Sequence, residues 1–154
     1  MNRVNVVGTS GSGKSTFSQQ LAAKLGSPCL EMDALYWKPD WGEPDDDELF
    51  AKLQVALEAT TSWVLDGNYT RTIPIKWATT DTVIWLDYSF SRTLFQAVRR
   101  AFRRSLSGEE LWPGTGNVET FRKSFFSTDS IILWTLKTYR RNRLKYEKMI
   151  ADPQ

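Results

Sequence analysis

The chain has 154 residues, of which 41% are hydrophobic and 25% charged. This size and apolar content suffice for one core without disulfides or a structural metal, so we expect a single domain over 1–154. The one cysteine excludes an internal disulfide, and the lack of histidine excludes histidine bases, histidine nucleophiles and histidine-containing zinc sites. Because no apolar run approaches the roughly 20 residues of a membrane span, we expect a cytoplasmic protein with no membrane partner.

Charge is distributed unevenly along the chain. Residues 1–91 hold 7 Lys and Arg against 12 Asp and Glu, whereas residues 92–154 hold 13 against 6. A basic segment can bind the phosphates of a small nucleotide or of a nucleic acid backbone. Composition alone does not choose between these two partners.

The hydrophobic pattern predicts alternating strands and helices. In chain order these are a strand at 4–8, a helix at 14–26, a strand at 28–33, a helix at 47–60, and strands at 62–67 and 81–87. Within the first helix, Phe17, Leu21 and Leu25 recur every four residues, which indicates one inward face.

The C-terminal part reads as helical from Ser91 to about Arg104. A loop, "SGEELWPGTGN", follows, and the pattern is then helical again to about Ile150. Strands that alternate with helices in this way indicate an α/β fold with a parallel sheet and helices on its faces.

A glycine-rich segment, "GTSGSGKST", joins the first strand to the first helix. It fits G-x-x-x-x-G-K-[ST] with Gly8, Gly13, Lys14 and Ser15. Glycines allow successive N–H groups to point toward an anion, and the helix N-terminus adds its positive dipole end. Lys14 is expected to reach the β- and γ-phosphates of ATP, and the Ser15 hydroxyl to ligate Mg²⁺. The predicted nucleotide-binding residues are Gly8, Ser10, Gly11, Ser12, Gly13, Lys14, Ser15 and Thr16.

Three aspartates lie at the carboxyl ends of predicted strands, where parallel sheets bind their ligands. Asp66 is the predicted carboxylate of the metal site, where it is expected to hold a metal-bound water. Asp33 is placed to accept a hydroxyl proton from a phosphate acceptor, or to orient that acceptor. Asp87 fits the pattern of an apolar strand followed by Asp. For each aspartate taken alone, a helix cap or a solvated turn is the alternative.

Further polar and aromatic residues near these aspartates are candidate contacts for the acceptor. The segment "DGNYTR" continues from Asp66, and two tryptophans follow Asp33. The predicted substrate-binding residues are Asp33, Trp37, Asp66, Gly67, Asn68, Tyr69 and Arg71.

Arginines are concentrated in the helix that begins near Ser91. Arg100 and Arg104 lie one turn apart, as do Arg99 and Arg103, so two adjacent stripes project from it. Phosphoryl transfer needs cations and a closed site, and Arg100 and Arg104 are therefore candidate catalytic residues beside Lys14 and Asp33. The alternative is that these arginines only complement the helix dipole. The glycine-bearing loop that follows is a candidate hinged cover.

Taken together, the motifs resemble the adenylate-kinase-like P-loop NTPases of the bacterial DNA topology modulation protein (FlaR-related) family. The resemblance is carried by "GTSGSGKST", by "LEMDALYWKPDW", by "WVLDGNY" followed by "DTVIWLD", and by "ELWPGTGNVETF" leading into "ILWTLKTYRR". These pieces cover most of the chain in the order that the family shows.

The resemblance implies a three-layer α/β/α P-loop fold with a parallel sheet in the order 2-3-1-4. This sequence departs from the family in that we expect no fifth strand after the lid helix. It implies a substrate-binding region at about 34–60, a small lid at about 104–118, and Mg·ATP as phosphoryl donor. The acceptor would be small and nucleotide-like or nucleoside-like. This chain departs from nucleoside monophosphate kinases at "DGNYTR", where those enzymes usually read "DGFPR".

An ATP-dependent regulatory or DNA-associated protein with weak ATPase activity remains the alternative function. A monomer and a homodimer are both compatible with the sequence.

Overall fold

The computed structural model describes residues 1–126 and 130–151. Its strands are β1 (Arg3–Gly8), β2 (Cys29–Glu31), β3 (Trp63–Asp66) and β4 (Thr82–Leu86). Its helices are α1 (Lys14–Leu25), α2 (Met32–Tyr36), α3 (Asp46–Glu58), α4 (Ile73–Lys76), α5 (Phe90–Ser107), α6 (Phe121–Phe126) and α7 (Ile131–Ala151). Two 3₁₀ turns cover Pro39–Trp41 and Thr70–Thr72.

The four strands form one parallel sheet in the order β2-β3-β1-β4, which confirms the expected α/β class and strand order. In the register, Val6 of β1 and Glu31 of β2 both lie opposite Asp66 of β3. Asp66 is therefore the last residue of an inner strand, at the edge of the sheet where parallel strands present their carboxyl ends.

The inward face predicted for α1 is wrong. Ser18 and Ala22 are its buried residues, whereas Phe17 and Leu21 are only half-buried and Leu25 is 38% exposed. Small side chains allow the helix backbone to approach β3 closely, which explains why the face that packs is not the most apolar one.

Two other differences concern element boundaries. The second strand ends at Glu31, and Asp33 lies in the first turn of the short helix α2 and not at a strand end. The predicted single C-terminal helix is interrupted, because Ser130 is not helical and lies between α6 (Phe121–Phe126) and α7 (Ile131–Ala151). The start of α7 carries its own cap, since the backbone N–H of Leu133 donates to the Ser130 hydroxyl.

The chain divides into two compact units. The first comprises Met1–Val7, Lys14–Ile84 and Trp112–Asn117, and the second comprises Gly8–Gly13, Trp85–Leu111 and Val118–Gln154. The apolar core of the first unit is built from α2, α3 and β3, with these buried members: Met32, Tyr36, Leu49, Leu53, Leu57, Trp63 and Leu65.

In the second unit, α5 packs against α6 and α7. The buried residues of α5 are small, namely Thr93, Ala97 and Ala101. The Tyr139 hydroxyl of α7 donates a hydrogen bond of 2.8 Å to the backbone oxygen of Tyr88, just before α5 begins. Within 1–126 and 130–151, every helix is too short or too polar to cross a membrane.

Candidate functional site

The glycine loop 8–13 belongs to the second unit and adopts backbone angles that favour glycine. Gly11 has φ 85° and Gly13 has φ 82°. The Ser12 N–H donates to the Thr9 oxygen at 3.0 Å, which closes a tight turn. A Cβ on Gly11 would lie 2.8 Å from the Thr93 oxygen and 2.9 Å from Ala97 Cβ, so only glycine fits against α5 here.

Lys14, Ser15 and Thr16 form the first turn of α1, directly after that loop in the chain. The first N–H groups of a helix have no partner within the helix and carry its positive dipole end. Ser15 and Thr16 are exposed and Lys14 is half-buried. This end of α1 therefore has the backbone chemistry that binds an anion.

Asp66 is the most deeply buried carboxylate of the predicted site. It is only 8% exposed, and within the described residues its Oδ1 has no hydrogen-bond partner. Burial raises the pKa of Asp66, while the charge of Lys14 and a hydrogen bond from Ser15 oppose this. The carboxylates of Asp33 and Glu31 raise it further. The fold thus places Lys14, Ser15 and Asp33 close enough to Asp66 to influence its pKa.

These oxygens fit a magnesium ion. Mg²⁺ binds oxygen ligands, keeps several waters and needs only one or two carboxylates. Asp66 supplies a buried oxygen with no protein partner in the described chain, and Ser15 supplies a hydroxyl beside it. The same described residues contain no cluster of three or more acidic, cysteine or histidine side chains suited to a metal. A site of this composition would leave the other ligand positions to water and phosphate.

Asp33 and Tyr69 form a hydrogen-bonded pair. The Tyr69 hydroxyl donates to Asp33 Oδ1 at 2.7 Å. Burial and the charge of Asp33 raise the pKa of Tyr69, so the phenol stays protonated and remains a donor. A Cβ on Gly67 would lie 2.5 Å from Met32 Cβ, so glycine is required where the end of β3 approaches α2.

A buried polar network, which the sequence analysis missed, holds the backbone that follows β3. Lys76 is 0% exposed, and its Nζ donates to the Gly67 oxygen at 3.2 Å and to the Asn68 oxygen at 3.1 Å. Asn5 Nδ2 donates to the Leu65 oxygen at 3.0 Å, and Asn5 Oδ1 accepts from Trp77 Nε1 at 3.0 Å.

Of the side chains in that network, only Asn5 could have been recognised as unusual from the sequence. Asn5 is a polar residue inside the otherwise apolar strand "VNVV", which is a recognisable exception. Lys76 stands in a short segment, "IPIK", where nothing distinguishes it from a solvated lysine. The burial of Lys76 could therefore be learned only from the way α4 packs in the folded chain.

Trp37 belongs to an aromatic cluster in the first unit. Its ring centroid lies 4.9 Å from that of Tyr36, 5.4 Å from that of Trp41 and 5.9 Å from that of Trp112. Asn117, 2% exposed, fixes this segment, because its Oδ1 accepts from the Trp41 N–H at 2.9 Å and its Nδ2 donates to the Lys38 oxygen at 2.9 Å. Residues 112–117 of the expected lid are therefore anchored to the 37–41 loop.

Arg71 is engaged by protein groups. Its Nη1 lies 2.6 Å from Asp46 Oδ1, and its guanidinium lies over the Tyr36 ring at 5.3 Å from the centroid. Asn68, the remaining predicted substrate residue, is half-buried and contributes its backbone oxygen to Lys76.

The two arginines predicted to be catalytic lie in the second unit. Arg100 Nη2 donates to Ser10 Oγ of the glycine loop at 3.2 Å. Arg104 Nη1 lies 3.7 Å from Glu119 Oε2, and Glu119 Oε1 accepts a hydrogen bond from Ser124 Oγ at 2.8 Å. Arg100 thus contacts the predicted nucleotide loop, whereas Arg104 has an ion-pair partner outside it.

Asp87, the third aspartate that follows a strand, is also ion-paired. Its Oδ2 lies 3.1 Å from Arg143 Nη2 of α7. This contact gives Asp87 a structural partner within the second unit.

The chain matches no protein-family model, and it has no significant match among curated proteins.

Proposed function

We propose that the protein is a P-loop kinase that binds Mg·ATP through residues 8–16 and transfers the γ-phosphoryl group to a small acceptor. The observation that carries this proposal is Asp66, whose buried Oδ1 has no protein partner in the described chain and which lies beside Lys14 and Ser15. Burying an unpaired carboxylate oxygen is costly, so a cation is the partner that would compensate it. The three-layer fold and the small lid at about 104–118 belong to the same proposal.

Each residue has a role that its position supports. The loop 8–13 and the first turn of α1 would bind the phosphates through backbone N–H groups, with Lys14 neutralising the β- and γ-phosphates. Ser15 and Asp66 would hold Mg²⁺, which neutralises charge on the phosphates when bound. Arg100 would stabilise charge near Ser10, which it already contacts.

The acceptor would bind at Asp33. This carboxylate is exposed and oriented by Tyr69, so it can receive the proton of an acceptor hydroxyl. The side chains of Trp37 and Arg71 border the same part of the first unit through their contacts with Tyr36.

Calorimetry of Mg·ATP binding tests the nucleotide site. Lys14→Ala should weaken binding by at least about tenfold, because a charge-assisted contact to phosphate is lost. Lys24→Ala, which removes a lysine in the last turn of the same helix, is the matched control and should bind like the wild type. Equal affinities for the two variants, or no binding by the wild type, would contradict the proposal.

A second candidate function is nucleic acid binding by α7. Five cationic residues of α7 are exposed, Lys137, Arg140, Arg141, Arg143 and Lys148, and Trp134 on the same helix is 55% exposed. Exposed cations interleaved with an aromatic ring suit phosphates and bases. This candidate does not require the nucleotide site.

A further inference from the structure

The part of the first unit that surrounds Asp33 is strongly acidic. Residues 27–76 contain 10 Asp and Glu against 4 Lys and Arg. The excess of carboxylates sets the electrostatic potential in which any acceptor must bind.

All four cations of this segment are engaged by protein groups. Lys38 and Lys52 both pair with Glu48, and Arg71 pairs with Asp46 at 2.6 Å. Lys76 is fully buried and donates to two backbone oxygens.

A phosphate monoester would find few binding partners in this region. Such a group carries close to two negative charges and is usually bound by arginine or lysine through charge-assisted hydrogen bonds. Arg71 would have to leave Asp46, and Lys38 would have to leave Glu48, which would add an unpaired carboxylate to an acidic region. The dianion would also be repelled by Asp33 itself.

A hydroxyl or ammonium group would find suitable partners. Asp33 is exposed, accepts from Tyr69 through Oδ1, and is held by that bond in one orientation. Aromatic rings lie next to the Asp33–Tyr69 pair. The ring centroid of Tyr36 is 4.9 Å from that of Tyr69, and the Trp37 ring contacts Tyr36 in turn. Aromatic faces attract cations and pack against neutral rings or sugars.

We infer that the acceptor is an unphosphorylated hydroxyl compound, neutral or positively charged, and not a phosphate monoester. This inference rests on the proposed function. In the reaction, a bond forms between the acceptor oxygen and the γ-phosphorus, and the bond from that phosphorus to the bridging oxygen of ADP breaks. The hydroxyl proton passes to Asp33 and then to solvent, and ADP leaves.

Matched acceptors test the inference. ADP release is measured with nucleosides against their 5′-monophosphates, with sugars against sugar phosphates, and with amino alcohols and aminoglycosides. Among the acceptors that stimulate release, we expect kcat/KM to be at least tenfold higher for the unphosphorylated member of each pair. Equal or higher values for the phosphorylated members would overturn the inference while leaving the kinase proposal intact.

The failures of the two proposals can be told apart. If Mg·ATP binds normally and no acceptor stimulates ADP release, the kinase proposal fails, and the inference fails with it. Acceptor binding is also measured without turnover, by tryptophan fluorescence of Lys14→Ala, because Trp37 and Trp41 lie in the acceptor region. Tighter binding of the phosphorylated members in that titration would overturn the inference independently of activity.

A pair of variants tests the reason for the preference. Asp46→Asn removes the carboxylate that engages Arg71, and Asp47→Asn removes an exposed neighbour in the same helical turn with the same change in charge. We expect Asp46→Asn to raise the kcat/KM ratio of phosphorylated to unphosphorylated acceptor at least fivefold, and Asp47→Asn to change it less than twofold. The same ratio for both variants would overturn the role given to the Arg71–Asp46 pair.

Discussion

Asp66 shows how burial of one residue makes stability depend on pH. Burial raises its pKa above the ordinary value of 3.8, and Lys14 and Ser15 offset this only in part. Between the ordinary and the raised value, the unfolded chain has released a proton that the folded chain still holds, so stability falls as pH rises. We expect the stability of Asp66→Asn relative to the wild type to increase as pH rises from ~3 through this window, and then to stay constant. Urea unfolding without divalent metal measures the difference.

The control for Asp66→Asn is Asp47→Asn, which also removes one negative charge but from an exposed position in α3. The two variants distinguish a buried carboxylate from a general effect of net charge. A stability difference for Asp66→Asn that is flat or that decreases over the same pH range would show that burial does not raise the pKa of Asp66.

At the scale of elements, Asn117 joins the 112–117 segment to the 3₁₀ turn at Pro39–Trp41. Two residues of that turn, Asp40 and Trp41, have φ of 56° and 59°, which is unfavourable for side chains other than glycine. Asn117→Ala removes the acceptor for the Trp41 N–H and the donor to the Lys38 oxygen. We expect a loss of about 1 to 3 kcal/mol in the free energy of unfolding, because two hydrogen bonds to half-buried backbone groups are lost. Urea unfolding followed by tryptophan fluorescence measures it.

Asn117→Asp is the matched variant for this contact. The aspartate still accepts from the Trp41 N–H but cannot donate to the Lys38 oxygen when ionised. At neutral pH the buried, ionised carboxylate would face the Lys38 oxygen without a proton to donate, so Asn117→Asp should be at least as destabilised as Asn117→Ala and should approach the wild type only when the carboxyl is protonated at low pH. Unchanged stability of Asn117→Ala would mean that the 112–117 segment is not held by this residue.

At the scale of the whole molecule, the uneven distribution of charge matters most for the nucleic acid alternative. If α7 binds DNA through its exposed cations, the affinity should fall steeply with salt, by a slope of roughly −0.9 per phosphate contacted. Arg141→Glu should weaken that binding further, since it reverses one exposed charge. Fluorescence anisotropy of a labelled duplex at several salt concentrations measures both effects. An affinity that does not change with salt would exclude this function.

The elements and the glycine loop could be predicted because their causes are local. An apolar run before glycines, a helix that begins at a lysine, and acids after strands are patterns of neighbouring residues. The sheet order came from the resemblance to a family, since the hydrophobic pattern gave only parallel pairing. The inward face of α1 was predicted wrongly because close packing against β3 favours the small Ser18 and Ala22 over larger apolar side chains.

The order of the amino acids was enough to predict the alternation of strands and helices and to propose residues 8–16 as a phosphate-binding segment. The tertiary structure decided which side chains meet: Tyr69 with Asp33, which is 36 positions away, and Asn5 with Leu65, which is 60 positions away. It also decided that Arg71 is paired with Asp46 and that Lys76 is buried. The physical reason is that burial, desolvation and the choice of an ion-pair partner depend on neighbours that only the folded chain brings together.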